Sequence, residues 1–593
     1  MRLVFDIETN GLLNEVSLIH TIVAKDLDTQ KVYEFRPHQI DLGLELLMSA
    51  DLLIGHNVIG YDIPAIMKLN PHFDIPRHKV VDTLILSRLI WTDLSDRDGR
   101  LVEADKLESK LRGSHSLKAW GQRLGFHKAD YDGGWETFSE EMLTYNVRDV
   151  EVTERLWTLI ESKACSQTAV ELEHAVAWIV SKQERHGFMF NEHAAYKLVL
   201  TLQKRQAELE AELQDTFPPF VQPDGFVEPK KSINYKDVKR ASVTAGAPYN
   251  KIKIVVFNPS SRHHIADRLK RVFGWKPTEF TQDGSAKVDE EVLSKLNYPA
   301  AKLLTEYLMI QKRLGQISDG KQGWLKHVRQ GRIHGEMITN GAVTGRATHR
   351  SPNMGQVPSC GAPYGHECRS LFCVQKGKKL VGIDVSGLEL RMLAHFMARY
   401  DNGKYGEEVI NGDIHTANQK AAGLETRNQA KTFIYAFLYG AGAAKIGSIV
   451  GAGSKHGQKL KEQFLAAVPA LAQLLKAVTT AAKRGYLVGL DGRLLHIRSE
   501  HAALNTLLQS AGALICKQWM VEVDREIDVR GWRDRVQQVA WVHDEIQVEV
   551  DEDIADAFGQ MAVECVTKAG DFFNIKVPLT GEYKVGNNWA ETH

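Results

Sequence analysis

The spacing of apolar positions divides the chain before any motif is considered. Near the N-terminus, residues 3–7 and 18–24 are short apolar runs of strand length. Residues 139–160 repeat apolar positions at helical spacing, with Met142, Val150 and Leu156 among them, so the first 165 residues read as α/β. From 170 to about 214 the pattern is helical, interrupted at His186-Gly187. Its second half, 198–213, is so rich in Glu, Lys and Gln that it predicts a solvent-facing rod. Pro218, Pro219, Pro223, Gly225 and Pro229 then break the helix and predict a loop. Helical patterns return near Arg262 and over 300–317. Beyond Arg332 the texture is again α/β: a strand at 379–384, a helix at 424–439 ending before Gly440, mostly helix at 460–484, and a long apolar helix at 505–524. Strands at 536–542 and 546–550 form a hairpin with His543, Asp544 and Glu545 at its tip.

Composition narrows the class. With 593 residues, 43% hydrophobic and 25% charged, the chain is an ordinary multidomain globular protein rather than a fibre or a disordered tail. Lys+Arg and Asp+Glu are both 74, so any electropositive surface is local. The six scattered cysteines do not make a disulfide framework and fit a reducing, cytoplasmic setting. The spacing of Cys360, Cys368 and Cys373 is not that of a zinc knuckle. No signal peptide and no membrane span are expected.

Two groups of acids carry the chemistry. Asp6 and Glu8 end an apolar strand and, at period two, share a face. Asp62 follows a second strand and turn, and Tyr145 and Asp149 lie four apart on one helix. Four carboxylates and a tyrosine could hold two divalent ions, with Tyr145 orienting an attacking water. Any one of these acids alone reads as a solvated loop residue. Asp384 ends the strand at 379–384 and Asp544 sits at the hairpin tip; paired, they form a second carboxylate site suited to displacement at a nucleotide phosphorus. Between them Arg427, Lys431, Tyr435 and Tyr439 fall at steps of four and make one drifting stripe. There Arg427 and Lys431 would clamp a triphosphate and Tyr435 would stack near the incoming base. A solvated face explains the cations and a core stripe the aromatics, but a ligand explains both.

The stretches DIETNG, GHNVIGYD and YNVRD resemble the three motifs of DnaQ-like, ribonuclease H-like 3′–5′ exonucleases. GIDVSGLELR, TRNQAKTFIYAFLYGAG and AWVHDEIQV resemble motifs A, B and C of family A DNA polymerases. The likeness is nearest to the replicative polymerases of short-tailed lytic phages that use thioredoxin, and it runs almost end to end. The resemblance implies an exonuclease domain at 1–165, then a right hand: thumb 166–331 with a basic insertion at about 217–253, palm 332–423 and 491–593, fingers 424–490. It implies Asp6, Glu8, Asp62 and Asp149 as nuclease metal ligands, and Asp384 and Asp544 as polymerase metal ligands with Lys431 catalytic beside them. Mg²⁺ is the expected ion, two per site, with Mn²⁺ able to substitute. Arg427, Lys431 and His415 would face the phosphates and Glu389 would exclude a 2′ hydroxyl. Arg346, Gln509, Tyr439 and His543 would lie along template–primer DNA. His543 reads equally as a turn residue, and Glu545 as a supporting acid next to the metals.

The expected partners are template–primer DNA, dNTPs, a replisome helicase–primase and, through the insertion, host thioredoxin. The stretch 230–253 holds seven basic residues (Lys230, Lys231, Lys236, Lys239, Arg240, Lys251, Lys253) against Asp237. It is shorter than the insertion of the resembled enzymes, and a solvated loop or a DNA-contacting loop fits it too. The rival functions are a stand-alone 3′–5′ exonuclease with a DNA-binding C-terminal part, and a repair rather than replicative polymerase.

Overall fold

The computed structural model describes every residue except 129, 235 and 237–241; Asp237, Lys239 and Arg240 of the basic stretch therefore lie outside the described residues. The chain divides into two compact units. The first comprises Met1–Met189, His334–Gln356 and Cys373–His593, and the second Phe190–Ile333 with Val357–Phe372. Residue 165 is thus no break between units, and the helix after it belongs to the first. Among the described residues no single helix is long and apolar enough to cross a membrane. Cys165, Cys368, Cys516 and Cys565 are free thiols.

The first unit contains two sheets of four or more strands. One has strands β1 (Arg2–Thr9), β2 (Ile19–Asp26), β3 (Val32–Phe35), β4 (Leu52–Gly55) and β5 (Val80–Asp82) in the order β3-β2-β1-β4-β5. β4 runs parallel to β1 and β5, and the other pairs are antiparallel. Leu3, Phe5 and Ile7 enter one core, while Val4 packs on the other face with Leu143 and Val150 of helix α1 (Glu140–Glu161). Alternation therefore turns Asp6 and Glu8 toward the face that α1 covers. Ser139 caps α1, its Oγ accepting from the Met142 amide at 3.1 Å.

Helix α2 (Gln167–His186) ends at Gly187, where φ is +69° and a side chain would be strained. The second sheet is antiparallel throughout: β6 (Lys378–Val385), β7 (Val536–Val542), β8 (Glu545–Asp551) and β9 (Gly581–Gly586), in the order β7-β8-β6-β9. Its apolar side meets a core shared with helix α3 (Arg427–Leu438) and the long α4 (Ala503–Val529), most of whose residues are buried. Thr426 and Gln429 close a reciprocal cap on α3. The helical stretch at 460–484 is two helices, Ser454–Ala467 and Pro469–Ala482, bent by 106° where proline removes a backbone donor.

The second unit departs from the sequence reading twice. Helix Glu192–Thr216 is not a solvent-facing rod: Leu202, Leu209 and Leu213 are fully buried, and Arg205 pairs with Glu306 of helix Pro299–Leu314 at 2.8 Å. Its polar residues outnumber the apolar ones, but Leu198, Leu202, Leu209 and Leu213 form one buried stripe while Tyr196 and Leu200 stay exposed. The proline-rich stretch expected as a loop forms a two-stranded ribbon, Phe220–Val227 with Tyr249–Val255. The register shift between Pro223 and Phe226 lets the ladder skip the residues that cannot pair well.

Candidate functional site

At the first acidic centre, β1 and α1 bring Asp6, Glu8 and Asp149 together, one carboxylate oxygen of each lying within 4.8 Å of the others. Asp62, at the start of helix Asp62–Leu69, is buried beside Asp6, and its Oδ1 accepts from the Ile7 amide at 3.2 Å. Burial pushes all four up, Asp6 well above the carboxylate range, Glu8 to about 8, Asp62 to about 7 and Asp149 to about 6; repulsion from neighbouring acids adds to the rise of Asp6, Glu8 and Asp62, whereas Lys128 opposes it at Asp149. The buried Oδ1 of Asp149 has no hydrogen-bond partner. Hard carboxylate oxygens that repel one another and leave an acceptor unused fit a divalent cation. Tyr145 lies one turn from Asp149 within an aromatic cluster, 5.6 Å from the Tyr131 ring and 6.0 Å from that of Trp135.

Sequence reasoning missed one member of this group. Lys128 places its Nζ 2.5 Å from Asp149 Oδ2 and 4.6 Å from the centroid of the Tyr145 ring. It stands in a loop with no periodicity, so only the fold brings it to the acids.

The second centre sits on the edge of the β6–β8 pair. Asp384 stands opposite Glu545, and the Val385 amide donates to the Asp544 carbonyl at 3.1 Å, so Asp384 and Asp544 are neighbours across the ladder. Burial and then Asp544 push Asp384 up to about 7, and burial also raises Asp544. These carboxylates too form a donor set suited to a hard divalent ion. The hairpin tip is only His543-Asp544, with His543 at φ +59°, and Glu545 already belongs to β8. Glu545 turns inward, accepting from Trp589 Nε1 at 2.6 Å and Gln547 Nε2 at 2.5 Å and pairing with His593 at 2.8 Å. Burial raises its pKa, but these bonds outweigh burial and hold the group low. Glu545 thus stands next to Asp384, whose pKa it helps to raise, while its own oxygens are taken up by protein donors.

Beside Asp544 a cavity of about 300 Å³ is lined by Arg346, His349, Glu389, Tyr439 and His543, among others. Tyr439 Oη donates to Glu389 Oε1 at 2.5 Å, and Arg346 Nη2 approaches the same oxygen at 3.5 Å. Gln509 is half-buried on α4, next to the cavity-lining Leu508. On α3, Lys431 is exposed, Tyr435 is half-buried and near Glu389 and Asp544, and Arg427 Nε pairs with Asp413 at 2.7 Å. His415 stands 6.4 Å from the Tyr435 ring; its buried Nδ1 has no partner, and burial followed by Arg427 and Lys431 lowers its pKa.

Residues 236–591 match the model of DNA polymerase family A. Over the full length of both chains the protein is 42% identical to the DNA-directed DNA polymerase of Escherichia phage T7, and equally to that of Enterobacteria phage T3. Among solved structures it resembles the POL domain of Pol1 from M. smegmatis in complex with DNA primer-template and dNTP. That likeness has a TM-score of 0.76 at 17% identity and covers 100% of this chain and 95% of that one. The two acidic centres described above thus lie in a chain that belongs to DNA polymerase family A. Membership removes the reading of a stand-alone nuclease.

Proposed function

We propose that the chain joins two phosphoryl-transfer centres in one replicative enzyme: a template-directed DNA polymerase at Asp384 and Asp544, and a 3′–5′ proofreading exonuclease at Asp6, Glu8, Asp62 and Asp149. The polymerase activity itself follows from the family. The observation that carries the double reading is the presence of two separate acidic centres, one at the end of β1 and one on the β6–β8 ladder. Bound Mg²⁺, for which Mn²⁺ could substitute, would supply charge neutralisation on the phosphate and a more acidic attacking oxygen.

The chain's own residues do the rest. Asp384 and Asp544 hold the reacting end of the primer, Lys431, Arg427 and His415 bind the triphosphate, and Tyr435 packs beside the incoming sugar and base. Glu389 fills the space that a ribose 2′ hydroxyl would need. Arg346 and Gln509 lie along the minor groove of the primer duplex, where acceptor positions are shared by all base pairs. Tyr439 positions Glu389, and His543 flanks the primer end. In the nuclease centre Tyr145 orients the attacking water. The first unit supplies the palm and fingers, and the second unit the thumb.

The partners we assign are template–primer DNA, dNTPs, a replisome helicase–primase and host thioredoxin. The ribbon of the second unit exposes Val221, Phe226, Ile252 and Ile254, apolar surface that a protein partner would cover. Extension length per binding event should rise when thioredoxin is added; unchanged length rejects that partner.

A primer-extension and excision assay on a single preparation tests the main proposal. Asp544→Ala should abolish extension and leave 3′ excision within about twofold of the parent, since no excision step uses that carboxylate. Loss of excision with extension intact would reverse the assignment of the two sites.

A further inference from the structure

The first unit holds a second cavity, of about 950 Å³, and none of the residues lining it belongs to either acidic centre. One wall comes from residues 56–117, the other from 336–350 together with Glu184 and Arg498. Its volume is that of a small-molecule site. Arg88, in the last turn of helix Thr83–Ile90, is half-buried in the first wall, and its guanidinium makes no ion pair or hydrogen bond among the described residues. Its carbonyl accepts from Asn340 Nδ2 at 3.0 Å, which ties the two walls together at this residue. Burial and then Arg350 lower the pKa of Arg88 to about 10, and Asp82 and Glu184 offset only part of that. A cation held out of water beside a like charge is destabilising until an anion joins it.

The other charges of the walls are already matched. Arg350 Nε pairs with Glu336 at 2.7 Å and Arg498 Nε with Asp96 at 3.3 Å. Glu184 accepts from the Met337 amide, and burial pushes it up to about 7. His56 and His115, lowered to about 3 by burial first and then by Arg88, are neutral, and the buried Nε2 of His56 has no hydrogen-bond partner. The surplus is therefore one cation. A single phosphate matches it. A nucleic-acid strand does not, because it brings a phosphate with every nucleotide, and Glu336 and ionised Glu184 would repel those that Arg88 does not reach. Thr92, Ser95 and Ser114 offer hydroxyl groups to a sugar or a base edge, and Leu94, Leu117 and Val343 offer apolar surface to a ring.

We propose that this cavity binds a nucleoside monophosphate, with Arg88 on the phosphate and His56 Nε2 against the sugar or base. The site needs no divalent ion. A nucleoside monophosphate is what 3′ excision releases; identifying the occupant with that product rests on the nuclease reading, whereas the binding itself does not.

Equilibrium dialysis of the full chain tests the site, in EDTA and with Lys431→Ala in every chain to weaken binding at the triphosphate residues. At least one of the four 2′-deoxynucleoside monophosphates should bind, and the matching deoxynucleoside, which lacks the phosphate, should bind about tenfold more weakly or worse. Arg88→Met should weaken the monophosphate by about the same factor. The thermal midpoint of that variant without nucleotide should equal or exceed the parent's, because an unpaired charge has gone. Glu336→Gln, which removes an acid from the wall, should tighten binding several-fold.

Binding by none of the four, or equal binding in Arg88→Met, would overturn the proposal. So would Arg88-dependent binding of an oligothymidylate with no binding of any monophosphate, which would make the cavity a strand groove. If Arg88→Met lowers the thermal midpoint, Glu336→Gln decides: unchanged affinity there overturns the proposal. Asp6→Ala separates these results from failure of the nuclease reading. Excision that survives Asp6→Ala removes the link to the product and leaves the binding measured in EDTA as it was.

Discussion

Glu389 would otherwise be a mobile carboxylate at the mouth of a cavity; the Tyr439 hydroxyl fixes it at 2.5 Å. A hydrogen bond to a charged group contributes about 1.5–3 kcal/mol. If Glu389 excludes the 2′ hydroxyl, freeing it should weaken discrimination more than synthesis. Tyr439→Phe should therefore raise ribonucleotide incorporation about tenfold with deoxynucleotide incorporation nearly unchanged, measured as the ratio of kcat/KM for the two substrates. A second residue-scale effect belongs to Glu184 of α2, which burial pushes up to about 7 although its Oε1 accepts from the Met337 amide at 2.5 Å. The folded pKa exceeds the ordinary value of 4.5, so the folded state holds more protons between these two values. Stability is then lost as pH rises from about 4.5 through about 7, by an amount on the order of 3 kcal/mol. Glu184→Gln should match the parent in urea unfolding near pH 4.5 and exceed it at pH 8. Equal gaps at both pH values would contradict the assignment.

At the scale of elements, four charges buried together join three segments. Glu173 of α2 pairs with Lys517 of α4 and, at 2.7 Å, with Arg493, which also holds Asp491 at 2.6 Å; all four side chains are at most 3% exposed. Arg493 Nη1 donates to Asn340 Oδ1 at 3.3 Å, and a Cβ on Gly345 would come within 2.8 Å of that same nitrogen. The guanidinium is therefore the floor of the loop that carries Arg346. Glu173→Gln leaves two cations facing one anion in the core and should cost about 3–5 kcal/mol, seen as a lower thermal midpoint. Glu173→Met combined with Lys517→Met removes one charge of each sign and should cost less than Glu173→Gln alone. None of this was legible in the sequence, where these residues stand far apart with nothing to pair them. The strands β1 and β6 were legible, because each is an apolar run that stops at an acid. So was α1, where the spacing of Tyr145 and Asp149 dictates a shared face. Glu545, read as part of the hairpin tip, opens β8 instead, because a two-residue turn and a three-residue tip look alike in sequence. Lys128 was missed because a loop has no period to read. The ribbon was hidden because Pro223 and Gly225 signal a break whether the chain loops or merely skips a rung.

For the molecule as a whole, what matters is that both centres belong to one chain, so a primer end can pass between them without leaving the protein. On the proposed function, a primer given only its next correct dNTP should expose this traffic: the polymerase centre would add a nucleotide, the proposed nuclease would remove it, and dNTP would turn steadily into dNMP. Asp6→Ala and Asp384→Ala should each stop this turnover, the first by blocking removal and the second by blocking addition. Asp6→Ala should also leave the extension rate within about twofold of the parent while raising misincorporation. A mixture of the two variants restores both chemistries, but on different molecules. Mixed turnover should therefore proceed only while DNA can dissociate and rebind, and should vanish when excess heparin traps every released enzyme. The unmodified chain should continue through several cycles under the same trap, because a frayed 3′ end reaches Asp6 and Glu8 by an intramolecular step whose effective concentration far exceeds that of free enzyme. Equal sensitivity of the mixture and the unmodified chain to the trap would mean that the centres work as two independent enzymes sharing one polypeptide.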